Sequence, residues 1–216
     1  MRAPRVLAIA LWLGLAACAH ELQIVNLQQY IVTNSVGSPE VRPRIAIRPF
    51  SGTSEDGFYH FAVAQQVRFD PYYQVVESEA DADILLTIEP SVRYHSSAWN
   101  MLIMFPGFLT FAPAWNGYVY DADIQTLYKV TDPAGKEIGG ETLPVEYSIR
   151  HADLPRTAFA NFGWFPLLQP LPLVGGVYDA IVFDDEITGR IQAAVRENYG
   201  RYMYRQIAAT LARVPR

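Results

Sequence analysis

The predicted fold depends on one stretch of sequence, Asp83-Ile84-Leu85-Leu86-Thr87-Ile88-Glu89-Pro90-Ser91-Val92. Its dense apolar run is typical of a central strand, which is covered on both of its faces. Pro90 has no backbone N–H, so pairing with a neighbouring strand is expected to stop or bulge there. The stretch therefore predicts the central strand of a β-sheet. The sequence on either side of it predicts the neighbouring elements.

The sequence before this strand predicts a strand, a helix and a second strand. Arg44-Ile45-Ala46-Ile47-Arg48-Pro49-Phe50 alternates charged and apolar side chains, as a half-buried strand does, and Pro49 ends it. Tyr72-Tyr73-Gln74-Val75-Val76 is the second strand, and Ser78 to Asp81 forms a turn or a single helical turn. Between them, near-helical spacing predicts a short helix from Phe58 to Phe69, with its inward positions at Phe58, Phe61, Ala62, Gln65 and Phe69.

The sequence after the central strand predicts a hairpin and a long closing helix. Side chains alternate from Tyr118 to Asp132, the run Asp132-Pro133-Ala134-Gly135-Lys136 is a turn signal, and Ile138 to Ile149 returns as the paired strand. The stretch from Asp184 to Arg213 has helical periodicity. Its apolar stripe comprises Ile187, Ile191, Ala194, Val195, Tyr202, Ile207 and Leu211.

This order of strand, helix, strand, strand, hairpin and helix predicts an α/β (α+β) fold, with a mixed β-sheet and helices packed on one face. From Arg44 to Glu89, the strand Ile45–Phe50, the helix, the strand Tyr73–Val76 and the strand start Ala82–Leu86 resemble a known group. The group contains the curli-secretion lipoproteins, the lipoprotein activators of peptidoglycan synthases, the Pel exopolysaccharide-export lipoprotein and the amino-terminal domain of the Tol translocation protein. The resemblance implies an envelope protein.

The amino terminus has the features of a secretory signal. Arg2 and Arg5 precede an apolar run from Val6 to Leu15, and Leu15-Ala16-Ala17-Cys18 follows. This string resembles the lipobox of bacterial lipoproteins, which implies cleavage before Cys18 and acylation of its thiol and amino group. Cys18 is the only cysteine in the chain, so it cannot form an internal disulfide. We therefore expect a signal peptide at 1–17, a lipidated amino terminus and tether at 18–43, and a single periplasmic α/β domain at 44–216.

Lipidation would hold the protein in a membrane without a spanning helix. Each buried methylene contributes about 0.8 kcal/mol, and stable anchoring takes more than one acyl chain. In the bacterial lipoproteins whose lipobox this string resembles, an Asp directly after the cysteine favours retention in the inner membrane. This chain has Ala19 and His20 at those positions. We expect the periplasmic face of the outer membrane.

Two long apolar windows have no charged residue: Ser96 to Tyr120 and Thr157 to Tyr178. Both contain prolines, and neither has the unbroken 20 apolar residues of a spanning helix or the alternation of a barrel strand. They are interpreted as loops that fold over the core, as a patch that contacts the membrane interface or a partner, or as flexible linkers. The predicted contact residues are Trp99, Phe105, Phe108, Trp115, Trp164 and Phe165.

Composition and motifs do not favour catalysis or nucleic-acid binding. The formal net charge is −5, and it becomes −7 once Arg2 and Arg5 are removed, which argues against nucleic acid or anionic lipid as an electrostatically driven partner. The histidines (His20, His60, His95 and His151) have no metal-ligand spacing. The acidic pairs Asp81 with Asp83 and Asp184 with Asp185 are interpreted as turn and helix-start charges. We expect no enzyme activity, no catalytic residue, no metal and no cofactor.

Three functions are left open by the sequence. The first is a structural or assembly component of an envelope complex for secretion, polysaccharide export or a surface structure, acting as a homo-oligomer or with an envelope partner. The second is a regulatory module that activates a periplasmic cell-wall enzyme, and the third is a lipid-transport auxiliary. A ring of many copies would favour the first, whereas a monomer would favour the second or third.

Overall fold

The computed structural model describes residues 22–31, 42–100, 117–151, 183 and 185–212. The strands are β1 (Gln23–Ile24), β2 (Arg44–Ile47), β3 (Gln74–Val76), β4 (Ile84–Ser96), β5 (Tyr118–Thr131) and β6 (Glu137–His151). The helices are α1 (Ser54–Phe69) and α2 (Thr188–Leu211), with single 3-10 turns at Leu27–Tyr30, Glu79–Asp81 and Asp185–Ile187. Within the described ranges the strands form one mixed sheet in the order β1-β6-β5-β4-β2-β3, so the predicted fold class and element order are confirmed.

The start of β4 is central, as its apolar sequence predicts. β2 runs parallel to both β3 and β4, with Ile45 opposite Val75 on one side and Ile84 on the other. A parallel pair needs a crossover connection, which α1 supplies between β2 and β3. Leu85 packs in a small buried cluster with Ala46 and Ala82, whereas Ile84 and Leu86 alternate with it and are also buried. Both faces of this part of β4 are therefore covered.

Pro90 does not end β4, which continues to Ser96. The pairing with β2 has already stopped at Leu86, where the partner is Ile47, so Pro90 interrupts no hydrogen bond on that side. Two residues further on, the Val92 N–H donates to Asp56 Oδ1 at 2.7 Å. A side chain of α1 thus takes the place of a strand partner.

α1 begins four residues before the predicted start, because Thr53 caps it. Thr53 Oγ1 accepts from the Asp56 N–H at 3.2 Å and donates to the Asp56 carboxylate at 2.7 Å. The predicted inward face is partly wrong, since Phe61 is 49% exposed and Phe69 is 77% exposed. The buried face comprises Tyr59, Ala62, Val63, Ala64 and Val67. Phe61 instead lies under the Arg196 guanidinium, 5.1 Å from the ring centroid.

α2 and the 3-10 turn before it bury a row of residues that recurs every four positions: Ile187, Ile191, Val195, Tyr199, Met203, Ile207 and Leu211. The predicted stripe is correct at five of these positions but omits Tyr199 and Met203. It also includes Ala194, which is exposed, and Tyr202, which is half-buried. Tyr199 lies edge-on to Tyr59 of α1, with 5.0 Å between ring centroids, and bonds Thr126 of β5 at 2.6 Å. The side chain that the sequence missed therefore connects both helices to the sheet.

The β5–β6 hairpin forms where it is predicted. Asp132 donates its N–H to the Lys136 carbonyl at 2.9 Å, and its carboxylate accepts from the Lys136 N–H at 2.8 Å. Gly135 has φ +85°, a conformation that favours glycine. Alternate β5 residues are buried throughout, including Tyr118, Tyr120 and Tyr128.

The amino-terminal segment covers part of the outer edge of β6, although it lies within the predicted tether. β1 pairs antiparallel with β6, with Gln23 opposite Arg150 and Ile24 opposite Ile149. Further along, Asn26 Nδ2 donates to the Glu146 carbonyl at 2.7 Å, and the Tyr30 hydroxyl accepts from the Glu146 N–H at 2.9 Å. Side chains thus continue the hydrogen bonding where the short strand stops.

The chain divides into two compact units. The second unit holds β2, α1, β3, most of β4, the β5–β6 turn and most of α2. The first unit holds β1, the end of β4, the start of β5, the end of β6 and the beginning of α2. The first unit comprises Met1–Val25, Tyr94–Ala122 and Tyr147–Ile191. The second unit comprises Asn26–Arg93, Asp123–Glu146 and Gln192–Arg216.

Candidate functional site

Both apolar windows leave the described chain at the same end of the first unit. Residues 101–116 lie between the end of β4 and the start of β5, and residues 152–182 follow the end of β6. The residues at which they depart and return are here called the window end: Ser96–Asn100, Gly117–Val119, Arg150–His151 and Phe183. Their contacts are described below, whereas residues 101–116 and 152–182 themselves lie outside the described residues.

Asn100 holds the two ends of the first window together. Its side chain is fully buried, and it pairs with the backbone of Val119 through two bonds of 2.7 Å, one from Nδ2 to the carbonyl and one from the N–H to Oδ1. Nδ2 also donates to Ser96 Oγ at 2.8 Å, and the Ser97 N–H donates to the Val119 carbonyl at 3.0 Å. The Asn100 amide thus acts like one more residue of an antiparallel pair, and it closes the base of residues 101–116.

Phe183 marks the return of the second window. Its ring stacks on Tyr94 with 5.2 Å between centroids and an interplanar angle of 16°, and it meets Tyr120 edge-on at 5.3 Å. These are the offset and perpendicular geometries that aromatic pairs prefer. They fix the chain before α2 beside the ends of β4 and β5.

His151 marks the departure of the second window. It is 5% exposed, and its Nε2 lies 2.9 Å from Arg190 Nη1. A guanidinium can only donate hydrogen bonds, so Nε2 accepts and the imidazole carries its proton on Nδ1. This contact joins the last residue of β6 to the first turn of α2.

A row of three polar side chains crosses the exposed sheet face beside the window end. Ser148 Oγ donates to Asp121 Oδ1 at 2.9 Å, and His95 Nε2 lies 3.9 Å from Asp121 Oδ2. A serine nucleophile needs the imidazole between the hydroxyl and the carboxylate, whereas here the carboxylate is in the middle. The row therefore joins three neighbouring strands and is not arranged as a catalytic triad.

The first strand also joins the first unit at this end. Because Gln23 is opposite Arg150 and β1 is antiparallel to β6, the chain before Gln23 runs in the direction in which β6 ends. The predicted lipidation residue Cys18 precedes Gln23 by five positions and lies outside the described residues. The amino terminus and both windows thus meet the described chain at one end of the sheet.

Among the predicted contact residues, Trp99 is described, and it is 66% exposed. The others, Phe105, Phe108, Trp115, Trp164 and Phe165, lie outside the described residues. The role of Asn100 was not predicted, although a single amide between Trp99 and an apolar run is an available signal. The contact of Arg190 with His151 was not predicted either, because no sequence signal pairs residues 39 positions apart.

In the ranges that the structure covers, no three or more His, Cys, Asp or Glu side chains group as metal ligands would. No helix in those same ranges has the length and apolar character needed to cross a membrane.

No protein-family model matches the chain, and neither does any curated protein. Among solved structures, a minor lipoprotein from Acinetobacter baumannii has a TM-score of 0.43 and 12% identity, covering 80% of this chain and 96% of that one. The solution structure of uncharacterized lipoprotein B from Nitrosomonas europaea also has a TM-score of 0.43, with 10% identity, covering 85% of this chain and 94% of that one. Both neighbours are bacterial lipoproteins, but similarity at this level does not establish a common fold or function.

Proposed function

We propose that this chain is an outer-membrane lipoprotein, anchored through acyl chains on Cys18, whose domain faces the periplasm and serves as an assembly component of an envelope complex. The observation that carries the proposal is Leu15-Ala16-Ala17-Cys18, placed directly after a basic start and an apolar run. The chain has one cysteine, and it stands at the position that a lipobox requires.

The short distance from Cys18 to the first strand supports an anchored domain. Gln23 is already paired with Arg150, so four residues separate the anchor from the sheet. The domain is therefore held near the membrane surface.

The composition supports an assembly role. Charged residues make up 18% of the chain, below the usual quarter, and both windows leave the described fold at one end. Aromatic anchors such as Trp are enriched where one surface binds another. We expect copies of the lipoprotein, or the lipoprotein and an envelope partner, to associate.

Two variants test the anchor. Cys18→Ser is expected to carry no acyl label and to stay uncut or become soluble, whereas Ala19→Asp is expected to be acylated but held in the inner membrane. The measurement is metabolic acyl labelling followed by separation of inner and outer membranes. Acyl label on the Cys18→Ser protein in the outer-membrane fraction would refute the anchor.

The size of the acylated protein, extracted in detergent, tests the assembly role. A multiple of the monomer mass is expected, and native-membrane cross-linking should give the same multiple. A monomer in both measurements would contradict assembly by self-association and would favour a regulatory module or a lipid-transport auxiliary.

A further inference from the structure

We propose that the window end lies against the phospholipid bilayer that carries the Cys18 acyl chains, with Trp99 at the bilayer interface. This inference rests on the proposed lipid anchor. It gives the first unit an orientation relative to the membrane. It also gives the exposed Trp99 a binding partner, which is a lipid surface.

The first step is the reach of the tether. A chain spans at most about 3.3–3.6 Å per residue, so the five residue-to-residue steps from Cys18 to Gln23 cover no more than about 18 Å. Acyl chains buried in the bilayer keep Cys18 at the headgroup level. Since Gln23 is opposite Arg150, the end of β6 also lies within roughly that distance of the headgroups.

The tether decides which end of β6 is held near the membrane. β6 has 15 residues, and at about 3.3 Å per residue it is about 45 Å long. The tether limits the distance from the bilayer to Arg150, next to the end of the strand, and sets no such limit on Glu137, at its start. The end that the tether holds near lipid is the window end.

Trp99 lies at this same end. β1, β6, β5 and β4 are successive neighbours in the sheet, and strands are about 4.8 Å apart, so the end of β4 is about 15 Å sideways from β1. The Asn100 amide, through its two bonds to Val119, fixes the backbone next to Trp99. The fold therefore fixes the exposed position of the Trp99 ring.

The chemistry of the exposed groups fits a lipid surface. An indole combines an apolar body with one N–H donor, and tryptophan is enriched where the acyl region meets the headgroups. Trp99 is 66% exposed, and the residues that follow it, 101–116, include no charged residue. Arg150, which is exposed opposite Gln23, supplies a cation for lipid phosphate groups.

The test uses an introduced cysteine as the single labelling site, since Cys18 is the only native cysteine and its thiol is acylated in the anchored protein. Ala98→Cys places a bimane label at the window end, next to Trp99. Ala134→Cys is the matched control, in the turn between β5 and β6. Both native alanines are exposed, so neither label has to enter the core.

The acylated variants are reconstituted in vesicles of phosphatidylethanolamine and phosphatidylglycerol that contain doxyl-labelled lipid, and acylation is checked by mass. Loss of bimane fluorescence at position 98 and none at position 134 is expected. Equal quenching at both positions, or none at either in protein that is acylated and vesicle-bound, would overturn the orientation while leaving the anchor intact. If the labels of two copies contact each other and lipid does not quench them, the proposed orientation is wrong and the window end binds a second copy of the chain. Absence of acyl chains would refute the proposed function itself.

Discussion

Gly200 and Gly189 are both in α2, yet a methyl group added at each is expected to change stability in opposite directions. A Cβ at Gly200 would lie 2.7 Å from the Ala62 carbonyl oxygen and 3.1 Å from Gln66 Cγ, both in α1. A Cβ at Gly189 would have nothing within 4 Å. The pair therefore separates the effect of helix packing from the general effect of replacing glycine in a helix.

The magnitude follows from two opposing effects. Alanine is preferred over glycine inside a helix by about 0.8–1.0 kcal/mol, which favours both substitutions, although less at Gly189 because it is near the start of α2. Carbon–oxygen contacts normally begin at about 3.3 Å, so Gly200→Ala forces the α1 backbone away by about 0.6 Å. Overpacking of this kind costs about 1–3 kcal/mol. Gly200→Ala should then be less stable than Gly189→Ala, by up to about 3 kcal/mol, since only Gly200→Ala has the cost of overpacking.

The assay is urea unfolding of both variants and the wild type in the same detergent, with the free energy of unfolding taken from the midpoint and slope. In a chain of this size, each kcal/mol is also worth about 2–4 °C in Tm. We expect Gly189→Ala to melt at or above the wild type and Gly200→Ala below it. A Gly200→Ala protein that is as stable as Gly189→Ala would refute the close approach of α1 and α2.

Four further variants test other contacts, one of them as a control. Burial lowers the pKa of His60, and the Arg68 cation lowers it further, so the wild type should lose stability as the pH falls below about 6.5. His60→Gln should lose less stability in melting curves from about pH 7.5 to 5.5. Asn100→Ala removes the partner of the Val119 N–H and one of the two donors to the Val119 carbonyl, and it should lower the free energy of unfolding by about 1–3 kcal/mol. Unchanged stability would contradict this role of the Asn100 amide. Ile191→Asp, at a fully buried position of α2, should cost several kcal/mol, on the order of the largest core effects. Its exposed neighbour in sequence, Ala194→Asp, should cost about 0.5 kcal/mol or less.

The sheet could be predicted from the sequence because its signals are local. Alternation of buried and exposed side chains in β5, turn residues such as Gly135, and the apolar start of β4 each specify their element without reference to distant residues. The hairpin and the order of elements follow from the same signals.

The helix faces were predicted less well, because burial there depends on a second helix. Phe61 is apolar but lies outside the core under Arg196, a residue far away in sequence. Tyr199 is polar at its tip and was omitted from the stripe, yet its hydroxyl finds a buried partner in Thr126. Periodicity identifies a helix, but it does not show which polar groups will be paired.

The candidate site could be predicted only in part, for a similar reason. The sequence indicates Cys18 and the uncharged windows, but the bond between Asn100 and Val119 and the pairing of Gln23 with Arg150 are contacts between distant residues. Those two contacts bring the amino terminus and the windows to one end of the sheet. They cannot be obtained from composition or spacing.

The lipid anchor is tested by the intact mass and the amino-terminal residue of the mature protein isolated from envelopes. We expect Cys18 as the first residue, with added mass equal to a diacylglyceryl group and an amide-linked acyl chain on Cys18. The same preparation, digested and fragmented, should show all of the added mass on the peptide that contains Cys18. An amino terminus at another residue, or a Cys18 with a free thiol, would contradict the account.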